Sequence, residues 1–426
     1  MTGYRTLVRN RDFTILWTGE VVSQLGTATS MFVFPLIAFA LTGSAVQAGL
    51  PDAALMLGMT AALLGGGVLA DRCDRRRVMR AASACGALLY GSLAAAAVLD
   101  SLTLTHLIAV AFGTGVATGV FGPAEASAVR SVVTREELPT AISQNQARHH
   151  IASLLGGPLG GLLYGASRAL PFVFDTVTFA VSYVMLGRLR TDLSPVVRTD
   201  RVGWTGLGRE LRSDLTEGMR YVFARPYFRT MVAFSACSNL VVNAVFFVAI
   251  LRLVQQGVHP AAIGVISALA GVGGILGALS APYIIDRMRT GHLTVLVAWS
   301  WVPLIVPLVF WGSPVLIGAM LFVGVFFNPA GNAGAQSYRV AITPARLQGR
   351  ISSATQFVGL TTMPLAPILG GFLLEQYGAR TGTAVLLVAT VLAALIPTLS
   401  RTVRRVPRPR DWPVLDEELV NQRVAV

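Results

Sequence analysis

Apolar residues run along this chain in twelve stretches, each of the roughly 20 residues that an α-helix needs to cross a bilayer, parted by short polar gaps. The pattern predicts spans over 13–41, 47–70, 78–99, 104–128, 143–166, 169–189, 229–251, 260–285, 292–311, 314–337, 350–374 and 380–400. The gaps are not equivalent. Thirty of the 34 basic residues fall before the first span, in alternate gaps or at the span ends that border them, or in the tail. The opposite gaps hold Arg168, Arg252 and Arg380, and Arg148 lies inside a span. Such a bias places both termini in the cytoplasm. The first span is longer than a signal-peptide core and no small-residue cleavage site follows it, so it is expected to stay in the mature protein.

Composition then excludes several classes. With 54% hydrophobic and 13% charged residues, a soluble single domain is ruled out, and the +13 formal charge reads as topology rather than as a nucleic-acid face. Every basic residue is Arg. A phosphate loop ending in Gly-Lys-Ser/Thr therefore cannot exist, and the chain cannot power itself with ATP alone. Neither HExxH nor GxSxG occurs; His149 and His150 point about 100° apart on a helix, a poor arrangement for one metal. Cys73, Cys85 and Cys237 have no metal or redox spacing, so no metal, cofactor or disulfide is expected.

The longest gap divides the chain into an N-terminal six-helix bundle over 1–190, a cytoplasmic linker over 191–228, a C-terminal bundle over 229–400 and a cytoplasmic tail over 401–426. The linker contains an amphipathic stretch from Leu207 to Phe223 and is expected to hold an interfacial helix. The two halves repeat. FGPAEASAVRSVV (Phe121 to Val133) returns as FNPAGNAGAQSYRV (Phe327 to Val340), Ile142 matches Ile351, and Gly160 matches Gly370, at offsets of 206, 209 and 210. Two parallel six-helix repeats place a substrate site between them by default.

The motif GVLADRCDRRRV, from Gly67 to Val78, resembles the G-x-L-A-D-R-x-G-R-R signature of the major facilitator superfamily, matching Gly67, Leu69, Asp71, Arg72, Arg75 and Arg76. Asp74 stands where many members have glycine. The resemblance covers nearly the whole chain and implies an all-α membrane protein of twelve transmembrane helices in two pseudo-symmetric bundles. In that family the motif helps latch one alternating conformation; Asp71 is expected to sit at a helix N-terminus and pair with arginine near the inner headgroups. The second-half copy has Ala281 at the Asp71 position, so the latch is expected to be one-sided. GGPLGG in span five (Gly156, Gly157, Pro158, Gly160, Gly161) and APILGG in span eleven (Pro367, Gly370, Gly371) resemble the GPxxGG element of exporters, with the first proline one place late. DFTILWTGEVVSQLG, from Asp12 to Gly26, resembles the drug and siderophore exporter branch, although Thr27 occupies a place where that branch often has an acid.

Polar groups inside the spans are the candidate chemistry, because a charge at mid-bilayer costs about 2.5 to 3.5 kcal/mol. Glu20 lies on the order of 10 Å inside the cytoplasmic end of span one. Glu125, Arg148 and His149 sit at a similar depth, and Arg148 can pair with Glu20 or Glu125. These four and Asp52 are the candidates for proton coupling; Asp175 is expected to be structural. Gln24 follows Glu20 by four, Asn239 and Asn243 are four apart, and Asn328, Asn332 and Gln336 repeat at four and eight, so each set marks one helix face. These carboxamides are the candidate wall of a substrate cavity, flanked by Phe32, Phe34, Phe246, Phe247, Phe326 and Phe327.

The resemblance implies a secondary active transporter in the cell membrane, a proton-coupled exporter of lipophilic small molecules by alternating access. A narrow siderophore or metabolite exporter and a proton-symport importer share the same fold. A scaffold would tolerate neutralisation of Asp71 and Glu20, and an enzyme would need a convergent acid, base and nucleophile that the sequence lacks. The expected partners are a lipophilic small molecule, protons and membrane lipids, with no nucleic acid and a monomeric state.

Overall fold

The computed structural model describes residues 7, 9–134, 137–194, 216–344 and 347–412. Among them every regular element is helical. In order these are α1 (Arg11–Thr42), the short α2 (Ala45–Ala48), α3 (Leu50–Arg72), α4 (Arg75–Val98), α5 (Leu104–Val132), α6 (Leu138–Ala166) and α7 (Leu170–Gly187). The second half comprises α8 (Pro226–Gln255), α9 (Pro260–Arg287), α10 (Thr290–Ser300), α11 (Val302–Phe310), α12 (Pro314–Phe326), α13 (Asn328–Ala341), α14 (Gln348–Thr362), α15 (Leu365–Leu399) and the short α16 (Arg401–Arg404). Among the described residues nine helical segments are long and apolar enough to cross a membrane, an architecture consistent with the expected twelve. Residues 195–215, which include most of the expected interfacial helix, lie outside the described residues; 216–224 are helical.

Three expected spans are interrupted, each next to a proline. The span over 292–311 divides at Trp301 before Pro303, that over 314–337 divides at Phe327 before Pro329, and that over 350–374 divides at Met363 and Pro364. Proline has no N–H for the preceding turn and its ring crowds the carbonyl four residues back. The α15 helix changes direction at Gly378, whose φ of 74° suits a residue without a Cβ.

The chain packs as two compact units. Unit 1 holds Met1–Val197 with Phe247–Gly271 and Pro367–Gln376; unit 2 holds Arg198–Phe246, Val272–Ala366 and Tyr377–Val426. Small residues bring helix backbones together in both. In unit 1, α3 and α5 cross where a Cβ on Gly115 would run into the Leu55 carbonyl oxygen and one on Gly119 would lie 2.5 Å from that of Met59. In unit 2, α9 and α12 cross where Gly273 and Gly277 face the carbonyl oxygens of Phe322 and Phe326. Lipid offers no hydrophobic drive between helices, so close backbone packing of this kind holds a bundle together. Phe34 and Tyr90 stack in unit 1 at 6.2 Å, and Tyr90 and Phe179 at 5.7 Å.

Candidate functional site

Two regions of different character stand out, one in each unit. In unit 1, α1, α5 and α6 converge on a cluster of buried charge. Arg148, 2% exposed, places Nη2 2.8 Å from Glu125 Oε1 and donates from Nε to Gln24 Oε1 at 3.1 Å. Of the two partners the sequence allows, Glu125 is the one in ion-pair contact. The approach is close but off the N–H axis, and Glu125 Oε1 has no directed hydrogen bond. Glu20, one helical turn before Gln24 and 4% exposed, lies near Ser182 and within electrostatic reach of both Glu125 and Arg148. One oxygen of Glu20, Nη1 of Arg148 and Nε2 of the neighbouring Gln144 are also buried without a hydrogen-bond partner. Two buried carboxylates thus lie within electrostatic reach of one guanidinium, and full ionisation would leave one uncompensated negative charge.

The remaining acids of unit 1 are apart from this cluster. Asp175 is fully buried and accepts from Ser30 Oγ at 2.7 Å, a contact that ties α7 to α1, and from Thr178 Oγ1 of its own helix at 3.1 Å. Asp52 has a buried Oδ1 without a partner. His149 is exposed. Among the described residues no group of His, Cys, Asp and Glu could hold a metal ion.

Unit 2 contains a cavity of about 520 Å³ walled by α8, α10, α13 and α14. The volume is that of a site for a drug-sized ligand. Asn239, Asn332 and Gln336 all line it. Asn332, Gln336 and Arg339 fall on one face of α13, at i, i+4 and i+7. Asn243 is not in this wall and donates instead to the Asn239 carbonyl oxygen at 2.7 Å; Asn328 opens α13 at the break after Phe327. The aromatic contribution comes from Tyr227, Phe228 and Phe234, which the sequence did not single out, rather than from the six phenylalanines that flank the stripes. Among those six, Phe34 packs on Tyr90, Phe246 on Trp301, and Phe326 on Phe327.

The signature segment forms the tight turn between α3 and α4. Asp71 falls in the last turn of α3, not at a helix N-terminus, and its side chain lies outside the described residues. The capping place belongs to Asp74, whose carboxylate accepts from Arg76 N at 2.9 Å. Only Cys73 and Asp74 separate the helices, so the residue just before α4 is the one that can cap it. Arg75 donates to the Ala70 carbonyl oxygen at 3.2 Å and to Ser131 at 3.3 Å, and Arg76 donates to the Thr191 carbonyl oxygen at 2.7 Å. The turn is thereby tied to the ends of α5 and α7. Asp12 reinforces the same end by accepting from Arg190 N and from both donors of Thr191, at 2.6 to 3.0 Å. Arg72 closes α3, and among the described residues no atom outside the helix's own backbone would lie within 4 Å of a Cβ on Gly67. Ala281, the counterpart of Asp71, packs with Leu293 and Ala330 in an apolar cluster.

The glycine elements of spans five and eleven are sites of close helix packing in unit 1. A Cβ on Gly156 would sit 2.6 Å from that of Ala28, and one on Gly160 2.9 Å from the Thr29 carbonyl oxygen. Gly157 and Gly161 face α9 through Gly264 and Pro260. Gly371 faces the Ala45 carbonyl oxygen, and the Pro367 carbonyl oxygen lies 2.7 Å from where Gly49 would carry a Cβ. One turn beyond, Glu375 Oε2 accepts from Ser44 Oγ at 2.6 Å and Val46 N at 2.9 Å, fastening α15 to the connection between α1 and α3.

A duplicated helical fold with glycine-lined crossings, a capped signature turn and a drug-sized cavity defines a multi-pass membrane transporter, and the chain belongs to the Major Facilitator Superfamily, whose family model matches residues 16–364. It is 24% identical over 399 residues to the multidrug efflux pump Tap of Mycolicibacterium fortuitum, covering 90% of this chain and 92% of that protein. Among solved structures it is similar to a bacterial homolog of the human lysosomal transporter Spinster in an inward-facing, unoccupied conformation. That match has a TM-score of 0.71 at 15% identity and covers 94% of this chain and 98% of the other. A bacterial homologue of the iron transporter ferroportin matches with a TM-score of 0.69 at 17% identity, over 92% and 98% of the two chains. At these identities the structural matches speak for the fold.

Proposed function

We propose that this transporter is a proton-coupled exporter of lipophilic small molecules. It resides in the cell membrane as a monomer with both termini in the cytoplasm, and performs no chemistry on its cargo. The observation that carries the reading is the burial of Glu125 against Arg148 in unit 1 with Glu20 in electrostatic reach of both. A proton on one carboxylate removes the uncompensated charge, and re-exposure of the cluster to water lets that proton leave. If the two protonation states favour different conformations, proton flow and transport are linked through that difference in free energy. Each inward charge supplies about 2.3 kcal/mol per 100 mV of membrane potential, sufficient to sustain a useful gradient of a neutral cargo. The direction of transport rests on the likeness to the efflux pump Tap and on the glycine elements, and the orientation on the arginine bias.

The test is dye accumulation in cells expressing the wild type, Glu20→Gln or an empty vector at matched expression, with cationic rhodamine 6G, neutral Nile red and anionic fluorescein. Wild-type cells are expected to hold less of at least one dye, the difference vanishing with a protonophore and with Glu20→Gln. Equal accumulation of all three dyes in wild-type and vector cells would sink the lipophilic-export reading; efflux insensitive to the protonophore would sink the coupling.

A further inference from the structure

Resting on the reading that the unit 2 cavity is where cargo binds, we propose that it selects amphiphilic oxyanions, with Arg339 as the residue that reads the charge. Among the described lining residues Arg339 is the one charged side chain, and no acid stands in the wall. A site for lipophilic cations would have the opposite balance, since an unpaired guanidinium in a largely apolar cavity repels a cation and attracts a carboxylate, sulfonate or phosphate.

An arginine in the last turn of a helix can serve the helix dipole or anchor the helix in the headgroups. Arg339 departs from both roles. It is half-buried, and its Nη1 donates to Thr355 Oγ1 at 2.9 Å, which turns the guanidinium from α13 toward α14 and along the cavity wall. The Thr355 hydroxyl donates its own proton to the Ile351 carbonyl oxygen at 2.9 Å, so its lone pairs remain to accept from Arg339. A guanidinium carries five N–H donors in a rigid fork, and this bond uses one. Other arginines have acids: Arg148 in unit 1 has Glu125, and Arg350 in unit 2 has Glu217. Among the described residues no carboxylate lies within ion-pair distance of Arg339.

The rest of the wall suits the body of such a ligand. Tyr227 is held edge-on by Tyr338 at 5.0 Å and by Phe228 at 5.6 Å, a fixed aromatic surface beside the cation. Met231, Phe234 and Met363 continue it with adaptable apolar area. The carboxamides of Asn239, Asn332 and Gln336 supply donors and acceptors without net charge. The matching cargo is an aromatic or aliphatic frame that carries one oxyanion.

The experiment uses the full-length protein in nanodiscs of phosphatidylcholine at pH 7.5, with fluorescein and rhodamine 6G as probes that share a ring system and differ in charge. Binding is read by fluorescence anisotropy for the wild type, Arg339→Gln, Arg339→Lys and Thr355→Val. Fluorescein is expected to bind the wild type more tightly than rhodamine 6G. Arg339→Gln should weaken fluorescein at least tenfold and Thr355→Val severalfold, with Arg339→Lys between wild type and Arg339→Gln and rhodamine 6G not weakened by any of them. Tighter binding of rhodamine 6G to the wild type, or fluorescein binding unchanged in Arg339→Gln, would overturn the assignment. Where Arg339→Gln does not run as a single species on gel filtration, Thr355→Val decides by the same criterion. Selective fluorescein binding in cells that show no efflux would leave the anion site standing and remove the export reading.

Discussion

The two copies of the duplicated segment, Phe121 to Val133 and Phe327 to Val340, begin alike and serve different ends. Both place proline two residues after the opening phenylalanine. In the first copy α5 runs unbroken through Pro123; in the second the helix stops at Phe327 and restarts as α13, with Pro329 in its first turn. Four residues beyond the phenylalanine the first copy has Glu125, buried against Arg148, and the second has Gly331, part of the cavity wall. Where one copy holds a charge, the other opens space. The duplication thus kept a backbone plan and divided two tasks between its halves, a charge that can be neutralised in one and a volume that can be filled in the other.

The sharpest break in that comparison is the removal of Arg148. Arg148→Met leaves Glu125 buried without its counter-charge and is expected to destabilise the protein by roughly 3 to 5 kcal/mol, read as a lower melting temperature in detergent. Adding Glu125→Gln should restore most of the loss, which separates charge from shape. Next comes closure of the cavity. A Cβ on Gly331 would lie 2.7 Å from Val297, so Gly331→Leu should cost about 1 to 3 kcal/mol in thermal stability and abolish fluorescein binding.

A smaller effect is expected within the polar wall. Asn332→Ala should weaken ligand binding by roughly fivefold, the equivalent of about 1 kcal/mol, while Asn243→Ala, outside the wall, should leave binding unchanged. Titration of both variants with the same dye checks the contrast. Smallest of all is Gly67→Ala. Among the described residues no neighbouring helix crowds the site of the new Cβ, and helix propensity predicts a gain of roughly 0.5 to 1 kcal/mol in stability. If the signature glycine serves an alternate packing of α3, transport should slow even as the melting temperature rises.

The helices were legible because bilayer thickness imposes a length that sequence cannot hide. The expected 13–41 and 260–285 correspond to Arg11–Thr42 and Pro260–Arg287. The breaks beside Pro303, Pro329 and Pro364 were not legible, since Pro35, Pro123, Pro158 and Pro282 lie inside continuous helices. Neighbouring helices decide which prolines are accommodated, and that information is tertiary. The buried charges announced themselves by their cost in lipid, and the carboxamides by their spacing. Arg339 did not, because the arginine bias that sets topology accounts for any arginine near a cytoplasmic helix end; only its hydrogen bond to Thr355 distinguishes a wall residue from an anchor. Its position seven residues after Asn332 was the available signal. The expectation for Asp71 as a cap failed by three residues, since a two-residue turn gives that task to Asp74.

The same two-residue turn carries a natural thiol. Cys73 ends α3 in this turn, while Cys85 and Cys237, exposed like it, lie within α4 and α8. Thiol alkylation proceeds through the thiolate, which forms where water reaches the sulfur. With Cys85 and Cys237 replaced by serine, a water-soluble maleimide has Cys73 as its target, at the heart of the signature, and its rate of attachment in intact cells and in inverted vesicles reports both the sidedness of the turn and its shielding during transport.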